Sequence, residues 1–301
     1  MKFKVIGIGE VLWDLLPAGR QLGGAPANFA FHAKMLGAQA QLITRVGRDD
    51  LGLAILQRFG EMGIDVDAVQ LDDLAPTGTA SVVLNNGGVP HFVIQENVAW
   101  DRLMITEKAR AVIRAADAVC FGTLAQRSET SRVVIRSLVA SARPDALKIF
   151  DINLRQEFFS LEIIKTSLEL ANILKINDEE LSVLAKMFGL AGRPAQQITE
   201  LAHRFDLRLV ALTCGARGSL FYSQGNYSKV EGLPASVVDT VGAGDAFTAM
   251  LALGILADWD LDRINRCANE VAAYVVSQPG ATPQLPAHLR LSEAFSLNAM
   301  R

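Results

Sequence analysis

The chain has 301 residues, of which 50% are hydrophobic and 20% charged, so it can bury a large core and is not generally disordered. Its formal net charge of -3 gives no basic excess, which argues against a nucleic-acid partner. The longest small and apolar run, 246–257, is shorter than the roughly 20 residues that cross a bilayer, and residues 1–17 lack the apolar core of a signal peptide.

The three cysteines, Cys120, Cys214 and Cys267, lie far apart in apolar segments. This spacing favours buried free thiols over a disulfide framework, because disulfides belong mainly to oxidising compartments. We therefore expect a cytoplasmic protein with no membrane partner.

The first sixty residues predict alternating strands and helices. The expected elements are a strand over 3–8, a helix over about 25–36, a strand over 41–46 and a helix over 50–62. This order is typical of a parallel sheet covered by helices. The glycines at 7 and 9 lack the third glycine of a dinucleotide-binding fingerprint, so the sequence does not support an NAD-dependent oxidoreductase.

The next segment contains only strand-like pieces. Strands are expected over 67–71, 79–84 and 90–94, with Asn85-Asn86-Gly87-Gly88 as a hairpin turn. The extended stretch 11–16 supplies a further strand. We expect a single domain over 1–301 that carries a small β-sheet lid, formed by about 10–22 and 65–100.

Apolar residues alternate along the lid strands at Val82, Leu84, Phe92 and Ile94. We expect them to form an exposed face, because strands with one apolar face alternate with a period of two. An exposed sheet of this kind can pair with its own copy across a two-fold axis, which predicts a homodimer through the lid.

The alternation of helices and strands resumes at residue 107. The expected elements are helix 107–115, strand 118–122, helix 129–142, strand 148–151, helix 161–171, strand 173–177, helices 178–188 and 194–204, strand 208–213, hairpin strands 218–222 and 227–230, a helix that follows 239–245, and helix 263–276. The predicted fold class is α/β, a three-layer doubly wound and mostly parallel sheet with a small β-sheet lid.

Polar residues follow several predicted strands, where open α/β sheets bind their ligands. Arg155 offers a fork of donors to phosphate, and Asn177 with Glu180 offers the oxygen atoms that magnesium and its waters prefer. Thr213 and Gly215 follow the next strand. Each residue alone is better explained as a helix cap or a turn, but the joint pattern indicates a phosphate-binding edge.

A second group of residues, near the amino terminus, suits a polyhydroxy ligand. Asp14, Gly23, Gly24 and Asn28 together would form a glycine-lined wall with one carboxylate and one amide. Taken singly, they also fit an exposed strand residue, a plain turn and a helix cap.

The stretch Asp239-Thr240-Val241-Gly242-Ala243-Gly244-Asp245-Ala246-Phe247 is the strongest candidate for the chemistry. A small-residue turn leads directly into an apolar helix, whose amino end attracts anions. An aspartate at that end would compete with the anion for the same N–H donors, so its presence indicates a chemical role. A general base beside a phosphate is such a role. No Walker A loop and no protein-kinase signature is present in the sequence.

This stretch, together with Gly23-Gly24-Ala25-Pro26-Ala27-Asn28-Phe29-Ala30, resembles the paired signatures of the ribokinase-like (PfkB) sugar kinases. Within that family the sequence looks most like a fructokinase. The resemblance implies transfer of the γ-phosphoryl group of ATP to a sugar hydroxyl, under a β-sheet lid. It implies Asp245 as the base, the N–H groups of Gly242, Ala243 and Gly244 as an anion hole, and Asp14, Gly24 and Asn28 as ligands of sugar hydroxyls.

The resemblance also implies cofactor sites. Asn177 and Glu180 would organise Mg²⁺ through water, and Arg155 would contact phosphate or sugar. The loop bordering ATP would contain Thr213, Gly215 and Gly218, with Asn269 and Gly280 beside the adenine. A monovalent cation, K⁺ in many members, would bind backbone carbonyls near Asp239 and Gly280.

The acceptor is less well defined than the reaction. Fructose is the first choice, and ribose, 2-keto-3-deoxygluconate and a nucleoside are the alternatives. A non-catalytic sugar-binding regulator is the rival from another class, but binding alone needs no base at Asp245. Residues 100–102 and 126–127 are equally consistent with bordering the sugar and with facing solvent.

Overall fold

The computed structural model describes residues 2–17, 19–84 and 90–290. In chain order its strands are β1 (Lys4–Ile8), β2 (Leu12–Leu16), β3 (Gly19–Gly23), β4 (Gln39–Ile43), β5 (Arg45–Gly47), β6 (Gln70–Asp72), β7 (Thr79–Leu84), β8 (Pro90–Ile94), β9 (Ala118–Phe121), β10 (Leu147–Asp151), β11 (Ile173–Asn177), β12 (Leu209–Thr213), β13 (Ser219–Ser223) and β14 (Asn226–Val230). Its α-helices are α1 (Ala25–Met35), α2 (Asp50–Glu61), α3 (Glu107–Arg114), α4 (Glu129–Ala140), α5 (Leu161–Leu170), α6 (Asp178–Phe188), α7 (Pro194–Arg204), α8 (Ala243–Leu256) and α9 (Leu261–Val276).

An eight-stranded sheet runs through the centre in the order β14-β13-β12-β11-β10-β9-β1-β4. Six neighbouring strands of this sheet are parallel, namely β12, β11, β10, β9, β1 and β4. Strands β13 and β14 add an antiparallel hairpin beside β12. The parallel strands are apolar and buried along nearly their whole length, because helices cover both faces of the sheet. The predicted α/β fold class is confirmed, and its parallel order places the carboxyl ends of β9 to β12 at one edge.

Helices cover both faces of this sheet. The core on one face joins side chains of α1, α8 and α9, such as Phe29, Phe247 and Val271, to the sheet. The core on the other face joins side chains of α3, α4, α5, α6 and α7. Helix α8 is buried at every position from Ala246 to Ile255, which explains why its sequence is apolar on all sides.

A separate four-stranded sheet has the order β3-β2-β7-β8. Residues 11–16 contribute β2 to it, as expected, and β2 pairs parallel with β7 and antiparallel with β3. Strand β3 covers residues 19–23, so the part of the expected lid over 10–22 forms two strands, and the second one extends to Gly23, where a turn was expected. The predicted turn Asn85-Asn86-Gly87-Gly88 lies outside the described residues.

Two expectations for this region are wrong. The strand expected over 67–71 is β6, which pairs with β5 in a sheet of its own, and the Arg45 guanidinium lies 2.9 Å from the Asp72 carboxylate across that pair. Ile94 was expected on an exposed face but is buried, because its row of the small sheet packs on the main core. The side chains of Val82, Leu84 and Phe92 lie outside what the structure describes.

The helices and the cysteines can be compared with two further expectations, the lack of a membrane span and the presence of free thiols. Within the described residues, no helix is both long and apolar enough to cross a membrane. All three cysteines are free, with Cys120 buried and Cys214 and Cys267 partly buried. The burial expected for these thiols is complete at Cys120 and partial at the other two.

Candidate active site

The amino end of α8 is shaped by a turn that only glycine fits. Gly242 has φ of 80°, and a Cβ atom there would lie 2.2 Å from the carbonyl oxygen of Ala281. Nε2 of His32 lies 2.9 Å from the same oxygen. Burial lowers the pKa of His32 to about 4, so the ring is neutral at physiological pH and holds the Ala281 carbonyl as an N–H donor. The first N–H groups of α8, which have no partner inside the helix, begin at this turn.

Asp245 lies in the first turn of α8 and meets α1 directly. The Nδ2 amide of Asn28 donates a 2.8 Å hydrogen bond to Oδ2 of Asp245. Burial raises the pKa of Asp245 to about 7, and the charge of Asp151 adds to this, while the Asn28 hydrogen bond and the charges of Lys175 and Arg155 oppose it. A carboxylate whose pKa lies near the working pH is suited to accept a proton.

The other residues of the predicted sugar wall lie around Asn28 and Asp14. Gly23 faces Asp14, since a Cβ atom on Gly23 would lie 2.4 Å from Oδ2 of that carboxylate. Gly24 begins α1 with φ of 106°, and a Cβ atom there would lie 2.6 Å from the carbonyl oxygen of Glu10. Gly24 therefore excludes a side chain, and a side chain at Gly23 would displace the Asp14 carboxylate.

Charge links this wall to the base. Burial raises the pKa of Asp14 to about 6, and the nearby Arg155 opposes that shift, as it does for Asp245. Arg155 itself is exposed and donates to the carbonyl oxygen of Leu154.

Oδ1 of Asn28 is a buried acceptor without a partner among the described residues. A buried polar atom of this kind is usually bonded, so it points to a ligand with donor groups.

Asn177 and Glu180 form a capping box at the start of α6. Oδ1 of Asn177 accepts from the N–H of Glu180 at 2.8 Å, and Oε2 of Glu180 accepts from the N–H of Asn177 at 2.9 Å. Oε1 of Glu180 accepts from the N–H of Leu154 at 3.0 Å, which ties the segment after β10 to the end of β11. Asn177 is thus a helix cap, which was the alternative explanation of this residue. The same contacts place its side chain beside that of Glu180, as expected for two residues that organise a metal ion.

The oxygens of this pair fit an Mg²⁺ ion that would be held through water. Within the described ranges, no three histidine, cysteine, aspartate or glutamate side chains lie close enough to hold a metal ion directly. The oxygens of Asn177 and Glu180 each accept one hydrogen bond and keep a further lone pair, which can accept from metal-bound water.

The predicted ATP loop follows β12. Thr213 pairs with Asn177 across the β11–β12 register, so the loop begins beside the start of α6. Gly215 and Gly218 have φ of 55° and 89°, and a Cβ atom on Gly218 would lie 2.0 Å from the carbonyl oxygen of Val230. The structure therefore requires glycine at 218.

The two residues expected beside adenine occupy different surroundings. The Nδ2 amide of Asn269 donates to Oγ of Ser219 at 2.6 Å and to the carbonyl oxygen of Asn265 at 2.8 Å, next to the predicted ATP loop. The N–H of Gly280 donates to Oδ2 of Asp239 at 3.1 Å. That bond brings together the two positions near which the monovalent cation was expected.

Sequence reasoning missed Lys175, a buried lysine at the centre of the site. Nζ of Lys175 lies 3.0 Å from Oδ1 of Asp151, and Oγ1 of Thr248 donates to Oδ2 of Asp151 at 2.8 Å. A Cβ atom on Gly244 would lie 3.0 Å from Nζ of Lys175. The available signal was a lysine inside a strand whose neighbours are buried on both faces, because such a lysine must be buried and paired.

Residues 100–102 and 126–127, whose role the sequence left open, meet in a cluster. Arg127 binds Asp101 through two hydrogen bonds of 2.8 and 2.9 Å, and its guanidinium lies 4.0 Å from the ring centre of Trp100. A pocket of about 520 Å³ adjoins this cluster, and none of the residues that line it belongs to the predicted sugar wall or to α8.

A partly buried carboxylate at a glycine-shaped helix start is the arrangement expected of an enzyme that transfers a phosphoryl group to an alcohol. The model of the pfkB family carbohydrate kinases matches residues 18–288. The chain belongs to this family and is a sugar kinase that uses ATP.

Several known proteins match this chain along nearly its whole length. The fructokinase of Escherichia coli is 27% identical, over 97% of this chain and 99% of its own length. A solved sugar kinase of Pyrococcus horikoshii is 27% identical, with a TM-score of 0.83 and 97% of both chains covered, and it has also been solved in complex with ATP. A fructokinase of Xylella fastidiosa with bound ATP has the same fold, with 24% identity, a TM-score of 0.84 and 100% and 99% of the two chains covered.

Proposed function

We propose that this sugar kinase phosphorylates fructose. The observation that carries the assignment of the site is the hydrogen bond from Asn28 to Asp245, because it joins the sugar wall to the base. The choice of fructose is supported by relatives named fructokinase in Escherichia coli and maize, at 27% and 28% identity. Ribose, 2-keto-3-deoxygluconate and a nucleoside remain the alternative acceptors.

The proposed reaction is an in-line transfer of the γ-phosphoryl group. Asp245 accepts the proton of the sugar hydroxyl while the hydroxyl oxygen forms a bond to the γ-phosphorus. The bond from that phosphorus to the bridging oxygen breaks, and its electron pair leaves on ADP. The N–H groups of Gly242, Ala243 and Gly244 stabilise the charge on the transferred group, while Asp14, Gly24 and Asn28 orient the sugar.

The same proposal assigns the nucleotide side. Thr213, Gly215 and Gly218 would border ATP, and Arg155 would contact its phosphates or the sugar. Asn177 and Glu180 would hold Mg²⁺ through its water shell, and the ion would supply positive charge beside the phosphates.

A monovalent cation would bind near Asp239 and Gly280. The Asp239 carboxylate already accepts the N–H of Gly280, so the two segments are fixed relative to each other. A fructokinase of Vibrio cholerae has been solved with fructose, ADP and a potassium ion bound. Stimulation of turnover by K⁺ over Na⁺ at equal ionic strength tests this site.

The small sheet is proposed as the lid of a single domain, and as the contact of a homodimer. Leu15 and Val93 are exposed at 40% and 39%, and both pair with Ser81, so they lie in one row across β2, β7 and β8. This row, rather than the one that contains Ile94, is the proposed dimer face. A monomeric mass at assay concentration would contradict the dimer.

The free cysteines support a reducing, cytoplasmic location.

A coupled assay of ADP release, run with fructose, ribose, 2-keto-3-deoxygluconate and a nucleoside, tests the function. We expect the highest kcat/KM with fructose. A higher value with another acceptor corrects the substrate and leaves the kinase assignment in place. Sugar binding with no ADP release from any acceptor would indicate the non-catalytic regulator instead.

A further inference from the structure

Lys175 brings a positive charge into the predicted anion hole. It lies on β11, and its side chain is only 8% exposed. Since a Cβ atom on Gly244 would lie 3.0 Å from its Nζ, the ammonium group lies directly beside the Gly244 backbone at the start of α8. The cation therefore lies beside the backbone that carries the first N–H groups of that helix, where the helix dipole also favours an anion.

The ammonium group is held in place from the opposite side. Oδ1 of Asp151 lies 3.0 Å from Nζ, and Asp151 is itself fixed by the hydroxyl of Thr248 through its second oxygen. The carbonyl oxygen of Gly244 lies 2.9 Å from the same hydroxyl, whose single proton is shared between the two acceptors. Lys175, Asp151 and Thr248 thus form a connected group with the anion-hole backbone.

Lys175 has donors beyond the one that it uses with Asp151. An ammonium group has three N–H donors. Asp151 is the one hydrogen-bond partner of Nζ within the described part of the chain, so two donors are left for a ligand.

We propose that Lys175 is a catalytic residue that binds the phosphoryl group in transfer, as a side-chain member of the anion hole. The inference rests on the proposed function of Asp245 and of the glycine N–H groups. A fixed cation beside developing negative charge stabilises the transition state, and such preorganised groups act strongly where water is excluded. A compact ammonium suits the position, because it approaches as a point charge beside a glycine.

The alternative is that Lys175 only neutralises Asp151. A buried carboxylate that loses its cation is costly, so Lys175→Met would then lower activity by damaging the fold. The double variant Lys175→Met with Asp151→Asn separates the two roles, since it removes the cation and the uncompensated charge together. Lys148→Met is the matched control, because Lys148 lies on the neighbouring strand β10.

We expect Lys175→Met to lower kcat by about 10² to 10³, as loss of an oxyanion donor does. The double variant should recover the Tm of wild type but not its kcat. Recovery of kcat to within about threefold of Asp151→Asn alone would overturn the proposal, because charge balance would then be sufficient. Lys148→Met should match wild type in both measurements.

A binding measurement gives a readout independent of turnover. Calorimetry compares ADP alone with ADP plus aluminium fluoride, a mimic of the transferred group, in the presence of the best acceptor. Lys175→Met should lose the additional affinity due to aluminium fluoride and bind ADP alone as wild type does. Equal weakening of both would show that Lys175 holds the nucleotide and would contradict the proposal. Failure of the wild-type enzyme to release ADP would instead refute the proposed function.

Discussion

Replacement of Asp245 by asparagine should stabilise the fold while it removes activity. Burial holds the pKa of this carboxyl at about 7, against 3.8 in the unfolded chain. A group of this kind contributes stability below its unfolded pKa and loses that contribution as pH rises through its folded pKa. An amide carries no charge and keeps an oxygen that accepts from Asn28, so it avoids the loss.

The magnitude follows from the two pKa values. The rise from 3.8 to about 7 corresponds to about 4 kcal/mol at pH 8, and the part developed by pH 5.5 is about 2 kcal/mol. The gain in Tm of the variant should therefore be about twice as large at pH 8 as at pH 5.5. Turnover should fall by about 10² to 10⁴, which is the usual contribution of a general base.

Thermal melts of wild type and Asp245→Asn at pH 5.5 and pH 8, with ADP release measured alongside, test both effects. Asp262→Asn is the control, because Asp262 is an exposed residue in the first turn of α9. A variant that is less stable than wild type, or a gain in Tm that is equal at the two pH values, would refute the account of a buried and charged carboxylate. Turnover within about threefold of wild type would refute its role as base.

Three further predictions concern the same site. The kcat/KM of wild type should fall about tenfold per pH unit below pH 7 and level off above it, and a flat profile from pH 5.5 to 8 would contradict the pKa of Asp245. Asn28→Ala removes the donor to Asp245, so the acid limb should move to higher pH and the KM for sugar should rise, both measured from pH profiles. Gly242→Ala should destabilise the fold by about 2 kcal/mol or more, since its Cβ would meet the Ala281 carbonyl, whereas Gly60→Ala in α2 meets open space and should be neutral or stabilising in the same denaturant titration.

The main sheet was predictable because each of its strands and helices has a recognisable pattern of apolar residues and ends at glycine or polar turn residues. The small sheet was less so, since a three-residue strand such as β6 has too short a pattern to say which edge it joins. The prediction for Ile94 failed for a related reason, because alternation identifies the two faces of a strand but not which one meets the core.

The candidate site was predicted where residues form contiguous motifs. Asp245 and Asn28 each lie in a long signature, whereas Lys175 and Asp151 lie in two ordinary strands 24 residues apart. Their contact is a consequence of strand order, in which β10 and β11 are neighbours with Asp151 opposite Lys175. Side chains that act through neighbouring strands become visible only when the order of those strands is known.

The burial of α8 from Ala246 to Ile255 has a consequence for synthesis of the chain. Helix α1 packs against α8, yet 217 residues separate Asn28 from Asp245. During synthesis at about 5–20 residues per second, the apolar side of α1 waits roughly 10 to 45 seconds for its partner. An apolar sheet face of the nascent chain therefore stays uncovered until the last quarter of the chain has emerged, and exposed surface of this kind is prone to aggregate.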